Sequence, residues 1–310
     1  MLIVIAEFMD ESAVAALAAH HTVHYDPSLV DQRDTLLARC AEADALIVRN
    51  RTQVDAALLA AAPRLRAVGR LGVGLDNIDL PACAARNIQV LPATGANARA
   101  VAEYVIATIL LLLRGAYGHT EAVAAGQWPR NALSSGLEAE GRTLGIIGFG
   151  AIGQLTARLA RGLDMRIAAY DPLLPADAPA WTEAGAQRME LDALLAASDA
   201  VSLHLPLLPA TAGLLDGPRL ARMKPGAVLV NTARGGIVDE AALAAALRSG
   251  ALRGAAVDVF AQEPLPAGGP LAGAPNLVLT PHIAGLTEQA NVRVSSLVAR
   301  RVAEALATPR

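Results

Sequence analysis

Along the first third of the chain, apolar runs of strand length alternate with alanine- and leucine-rich stretches of helical length. The runs are MLIVIA, TVHYDP, ALIVRN, LRAVGRLGVG and IQVLPATG. This alternation predicts a parallel sheet with helices on its faces. The first run is ended by Glu7 and has neither a basic segment before it nor a small-residue cleavage site after it, so it is read as a first strand and not as a secretion signal. Behind TGAN, where Asn97 can cap a helix, YVIATILLLL (residues 104–113) lies between Glu103 and Arg114. That run is well short of the roughly 20 residues of a membrane span. It predicts a buried helix packed against something large.

A loop-like stretch, GQWPRNALSSGLEAEG, then separates this region from a second series of strands. Six candidates follow between residues 143 and 282: TLGIIG, RIAAYD, AVSLHLP, AVLVNTA, GAAVDVF and LVLTP. Six is the strand count of a full dinucleotide-binding sheet. The tail NVRVSSLVARRVAEALA has helical periodicity and no strand of its own, so it must dock on an existing domain.

A chain of 310 residues accommodates two domains, and two domains invite a cleft. With 54% hydrophobic residues, 18% charged residues and a formal net charge of −3, nothing in the composition points to disorder, nucleic acid or an anionic membrane. Cys40 and Cys83 are too few for a disulfide framework and lack metal-ligand spacing, which favours a reducing, cytoplasmic compartment. His20, His21, His24 and His119 show no pattern that recommends a metal.

Chemistry concentrates in the second half. TLGIIGFGAIG places Gly148, Gly150 and Gly153 in G-x-G-x-x-G order between a strand and an amphipathic helix. The first glycine permits a tight turn, the second lets the backbone approach a pyrophosphate, and the third lets the helix pack on the strand. The next strand ends at Asp171, close to the usual separation of about 20 residues. A carboxylate there accepts the adenosine ribose hydroxyls and repels a 2′-phosphate. No arginine follows immediately, so NAD is favoured over NADP.

Three later strand ends carry Arg234 (VNTARGGIVDE), Asp258 and Glu263 (VDVFAQEPLP) and His282 (LTPHIAG). Singly, these could be a surface cation, a solvated loop acid and a capping or core histidine. Together they suit oxidation of a hydroxy acid. His282 takes the hydroxyl proton, Glu263 fixes the tautomer from the far ring nitrogen, and Arg234 grips the substrate carboxylate with paired hydrogen bonds.

GIIGFGAIG, NTARGGIVDE, VDVFAQEP and TPHIAG, in this order and spacing, resemble the D-isomer-specific 2-hydroxyacid dehydrogenase family, which includes D-3-phosphoglycerate dehydrogenases. The resemblance implies an α/β architecture of two doubly wound parallel-sheet domains, a Rossmann NAD domain (97–286) inserted into a flavodoxin-like substrate domain (1–96 and 287–310). It implies NAD as cofactor and a homodimer whose interface includes the helix near residues 97–118. It further implies that Ala151, Ile152, Thr232, Ala233, Asp258 and Gly285 line the cofactor site, with Asp258 near the nicotinamide amide. The backbone at Val73 and Gly74 is expected to meet the substrate carboxylate. Leu205 departs from the threonine frequent at that place in phosphoglycerate dehydrogenases.

Substrate identity should come from the first domain. VRNRTQVD sets Arg49 and Arg51 at alternate positions after a strand, and Arg70 follows in GRLGVGLDNID. A second cation suggests a second anionic group on the substrate, and the alternative for Arg51 is a local surface ion pair. These segments and AEFMDE are similar to bacterial sulfolactate dehydrogenases, which makes 3-sulfolactate the expected substrate. 3-Phosphoglycerate and glyoxylate or hydroxypyruvate are the alternatives. A non-catalytic, NAD-sensing corepressor of the same fold lacks support here, since nothing reads as a peptide-docking extension. Glu263 argues against formate dehydrogenases, which carry glutamine in that role.

Overall fold

The computed structural model describes residues 1–308. The chain divides into two compact units, Met1–Asn97 with the chain from Leu286 onward, and Ala98–Gly285.

In the first unit the five expected runs form β1 (Leu2–Ile5), β2 (Thr22–Tyr25), β3 (Ala45–Val48), β4 (Ala67–Arg70) and β5 (Gln89–Pro92). All pairings are parallel, in the order β2-β1-β3-β4-β5. This is the flavodoxin-like order. The central strands β1 and β3 are apolar throughout because both faces are covered. Val4, Leu46 and Val68 face a cluster with Leu36, Leu58 and Cys83. Ile3, Ile5 and Ile47 face Leu17 and the closing helix Glu288–Ala307, through Val294, Val298 and Val302. The tail thus returns to the first sheet. Gly69 permits its close approach, since a Cβ there would stand 2.7 Å from Val298 Cγ1.

In the second unit, β6 (Thr143–Ile147), β7 (Arg166–Tyr170), β8 (Ala186–Arg188), β9 (Ala200–Leu203), β10 (Ala227–Asn231), β11 (Leu252–Val257) and β12 (Leu277–Leu279) pair in parallel. Their order, β12-β11-β10-β9-β6-β7-β8, is the Rossmann order with one added edge strand. Seven strands replace the six expected. The added strand is β12, and the one that no predicted run covers is β8, the regular edge strand at the other side, whose sequence AQR is short and mostly solvent-facing, so it offers no apolar run to read.

The helix Ala98–Arg114 packs Val101, Val105, Ile109 and Leu112 against Ile146, Val228 and Ala256. It is not the wholly buried helix that its apolar run predicts, because Leu110 and Leu111 are each 37% exposed. No single described helix is long and apolar enough to cross a membrane, and the one pair that passes together, Ala98–Arg114 with Tyr117–Ala124, is bent by 68°.

Candidate active site

In the second unit the strand order reverses between β6 and β9, the crevice where open α/β sheets bind ligands. The glycine loop leaves β6 there. Gly148 has φ +93°, and a Cβ on it would lie 2.5 Å from the carbonyl oxygen of His204. Gly153 packs its helix on the loop, with a Cβ position 2.3 Å from the Gly148 carbonyl oxygen. Gly150 is different. It caps the helix Ala151–Arg161 with φ −74°, and a Cβ there would meet nothing within 4 Å among the described residues. Neither backbone strain nor protein packing explains its lack of a side chain, whereas a pyrophosphate on the N–H groups of Ala151 and Ile152 does.

Asp171 stands beside this loop, its Oδ2 accepting the Phe149 N–H at 2.8 Å and its Oδ1 that of Leu173 at 2.9 Å. The carboxylate is therefore oriented with lone pairs left over for ribose hydroxyls. After β10, Ala233 is buried, and the buried Thr232 hydroxyl has no hydrogen-bond partner among the described residues. An orphaned hydroxyl at a strand end is what a ligand group would satisfy. The residues fit NAD.

His282 and Glu263 are brought together: Nδ1 of the imidazole lies 2.8 Å from Oε2 of the carboxylate. Glu263 is held in turn by the Phe260 N–H, which donates to Oε1 at 3.0 Å. With Nδ1 committed to the carboxylate, Nε2 is the nitrogen left for a substrate proton. The backbone of His282 is left-handed, at φ 57°. This conformation costs roughly 1–2 kcal/mol in a residue with a Cβ, and it is held by the His282 N–H donating to the Asp258 carbonyl at 2.8 Å.

Asp258 is almost wholly buried, and its carboxylate faces the His282 loop. Oδ1 accepts the N–H of Ile283 and Oδ2 that of Ala284, both at 2.8 Å. The expected neighbour of a nicotinamide amide is thus also a clamp on the loop that ends at Gly285, a role the sequence motif does not announce.

Arg234 sits in a loop tied down by the buried Asn231, whose Oδ1 accepts the Ala233 N–H at 3.1 Å and whose Nδ2 donates to the Arg234 carbonyl at 3.1 Å. The next residue, Gly235, abuts the backbone of Phe260 and Ala261. The arginine loop and the Glu263 loop are therefore packed directly on one another. Asn231 and Gly235 are visible in the motif, but only the structure gives them a task.

In the first unit, the loop after β3 is clamped by Glu7, a buried carboxylate at the end of β1. It accepts the N–H groups of Arg49 at 2.8 Å, Thr52 at 3.0 Å and Arg51 at 3.3 Å. Arg49 extends to Asn291 Oδ1 at 2.7 Å and lies 5.8 Å from the centre of the Phe8 ring. The Arg51 guanidinium pairs with Asp31, and both side chains are exposed. This is the local surface ion pair that forms the alternative reading of Arg51. Val73 is exposed and Gly74 partly so. Just before them, the Arg70 side chain folds over Gly72, where a Cβ would collide with its guanidinium.

The family described as D-isomer specific 2-hydroxyacid dehydrogenase, NAD binding domain, matches residues 106–284. An (S)-sulfolactate dehydrogenase of Chromohalobacter salexigens is 55% identical over 98% of this chain and 98% of its own length. A D-3-phosphoglycerate dehydrogenase of Mycobacterium leprae is 44% identical over 99% of this chain, which spans only 57% of that relative's length. The crystal structure of the TT0316 protein from Thermus thermophilus superimposes with a TM-score of 0.88 at 33% identity, covering 99% of this chain and 97% of the other. The chain belongs to the D-isomer-specific 2-hydroxyacid dehydrogenase family and is an NAD-dependent oxidoreductase that interconverts 2-hydroxy acids and 2-oxo acids.

Proposed function

We propose that this enzyme oxidises 3-sulfolactate to 3-sulfopyruvate, with His282 as the proton-transfer group, Glu263 as its partner and Arg234 as the clamp on the substrate carboxylate. The observation that carries the chemistry is the 2.8 Å contact between His282 Nδ1 and Glu263 Oε2. The substrate rests on likeness to the sulfolactate dehydrogenase of C. salexigens over nearly its whole length. The (S) label of that relative agrees with D specificity. In sulfolactate the sulfur-bearing carbon outranks the carboxyl carbon, so the spatial arrangement of D-lactate takes the descriptor (S).

Bound NAD would accept the hydride from C2, with Gly150, Ala151 and Ile152 at its pyrophosphate, Asp171 at its ribose and Thr232, Ala233, Asp258 and Gly285 around the remainder. His282 Nε2 takes the hydroxyl proton as the C2–O bond gains carbonyl character, and the Glu263 carboxylate stabilises the protonated ring. In the reverse direction the same nitrogen returns the proton. Arg234 neutralises the substrate carboxylate and polarises the adjacent oxygen. The Val73–Gly74 backbone supplies further donors to that carboxylate, and Arg51 receives the sulfonate.

The exposed apolar side chains of the second unit support a homodimer: Leu110, Leu111, Tyr117, Val123 and Trp128 lie on the surface of one stretch of chain. The free, buried thiols of Cys40 and Cys83 support a cytoplasmic location.

The test is NAD reduction across both enantiomers of sulfolactate, glycerate, 3-phosphoglycerate and lactate. The highest kcat/KM should fall on (S)-sulfolactate. A clear preference for D-3-phosphoglycerate or D-glycerate would replace the substrate while leaving the reaction class in place.

A further inference from the structure

Behind the His282 loop, two side chains that the reaction itself does not call for, Tyr104 and Thr280, run up to Asp258. Tyr104, on the Ala98–Arg114 helix, has its hydroxyl 2.6 Å from Thr280 Oγ1, and Thr280 Oγ1 lies 2.6 Å from Asp258 Oδ1. The same carboxylate accepts the N–H groups of Ile283 and Ala284, the two residues after His282.

Proton counting gives this chain a direction. A carboxylate already accepting two backbone N–H groups offers lone pairs to Thr280, so Thr280 donates its single proton to Asp258. Only lone pairs then remain on Thr280 Oγ1 for Tyr104, and the phenol must be the donor. Burial pushes the Tyr104 phenol up from its ordinary value, so its proton stays in place across the working range. Each member orients the next: the phenol fixes the Thr280 rotor, Thr280 fixes one Asp258 oxygen, and Asp258 holds the peptide beyond His282.

The loop needs this support. Pro281 has no N–H to contribute, and His282 sits in a left-handed conformation that relaxes unless its neighbours hold it. A phenyl ring at residue 104 would fill the same space. The hydroxyl is therefore the part of the side chain that packing alone does not explain.

We propose that Tyr104 is a positioning residue: through Thr280 and Asp258 it holds the His282 imidazole in line with the substrate hydroxyl. This rests on the reading of His282 as the proton-transfer group.

The experiment compares Tyr104→Phe, Thr280→Val, their double variant and His282→Gln in the full-length protein. Tyr104→Phe should lower kcat by about tenfold, the scale of a sub-ångström misplacement. KM and the Kd for NADH, measured by fluorescence titration, should each stay within about twofold of wild type. The isotope effect on kcat with the C2-deuterated hydroxy acid should rise, because misalignment makes the chemical step slower, a change that loss of stability alone does not produce. The double variant should be no worse than Thr280→Val, since both cut one chain. Unchanged kcat and isotope effect in Tyr104→Phe, or additive losses in the double variant, would overturn the inference while the His282 reading stands. Turnover retained by His282→Gln would overturn both.

Discussion

Gly235 rests on Phe260 so closely that a Cβ built on the glycine would stand 1.8 Å from the phenylalanine carbonyl oxygen and 2.5 Å from the next amide nitrogen. Both obstacles are backbone, so neither can swing aside. The contact joins the loop of Arg234 to the loop of Glu263. Gly235→Ala should therefore separate the carboxylate clamp from the proton-transfer pair by about an ångström, a displacement that costs roughly 10²-fold in kcat/KM. Steady-state kinetics would check this, with NADH titration as control. Activity within twofold of wild type would mean that the two loops are not held in register by this contact.

Two of the loop glycines, Gly150 and Gly153, should respond differently to substitution. Gly150→Ser adds a side chain in open space at a helix N-cap, where serine is at least as good as glycine. Thermal stability should hold while NADH affinity falls by about tenfold or more, as the hydroxymethyl group occupies the place of the pyrophosphate. Gly153→Ala, with its Cβ 2.3 Å from the Gly148 carbonyl oxygen, should instead lose about 1–3 kcal/mol of stability. Isothermal titration and urea unfolding separate the two. Equal loss of stability in both variants would contradict the assignment of Gly150 to the ligand.

These glycines also show where the sequence is legible. Gly148, Gly150 and Gly153 announce their loop because spacing along one short segment encodes it, and His282, Glu263 and Arg234 stand out as candidates because each lies in a loop that follows a strand of a sheet of predictable order. Gly235, Thr280 and Tyr104 carry no such signal. Their tasks depend on contacts between segments distant in the chain, such as Tyr104 with Thr280, and no local pattern records which distant atom a hydroxyl will meet. Likewise β8 is illegible, because an edge strand of three residues needs no apolar alternation to pair on one side.

Arg51 offers a test of the substrate. Its partner Asp31 is exposed, and solvent screens such surface pairs, so a sulfonate that makes a charge-assisted bond can take the guanidinium over at small cost. Arg51→Ala should raise KM for (S)-sulfolactate by about tenfold or more and leave KM for D-lactate within twofold. Equal increases for both acids would place Arg51 outside substrate recognition.

The homodimer reading makes its own prediction. Leu110 and Leu111 are exposed on a helix whose opposite face is core, so replacing both with glutamate should leave the fold intact. Light scattering should give twice the chain mass for the wild type and a lower mass for the variant. A wild-type protein that is monomeric at micromolar concentration would remove the reading.

His204, whose carbonyl lies beneath the glycine loop, should make stability sensitive to acid. Burial pushes the His204 imidazole down from 6.5 to about 3, and its Nε2 lies 2.9 Å from the buried Ser202 hydroxyl. Between those two values the native ring stays neutral while the unfolded chain takes up a proton. The unfolded state therefore binds more protons, and stability falls as the pH is lowered through this window. One such group gives a slope on the order of 1 kcal/mol per pH unit. The stabilisation is complete above pH 6.5 and declines steadily below it. His204→Gln keeps a polar partner for Ser202 but has no ring to protonate, so its urea midpoint should change less between about pH 6.5 and about pH 4.5 than that of the wild type. Because the His204 carbonyl lies beneath Gly148, the wild type should also lose NADH affinity over the same interval more steeply than the variant. Parallel stability curves for the two proteins would mean that protons reach the ring in the native state.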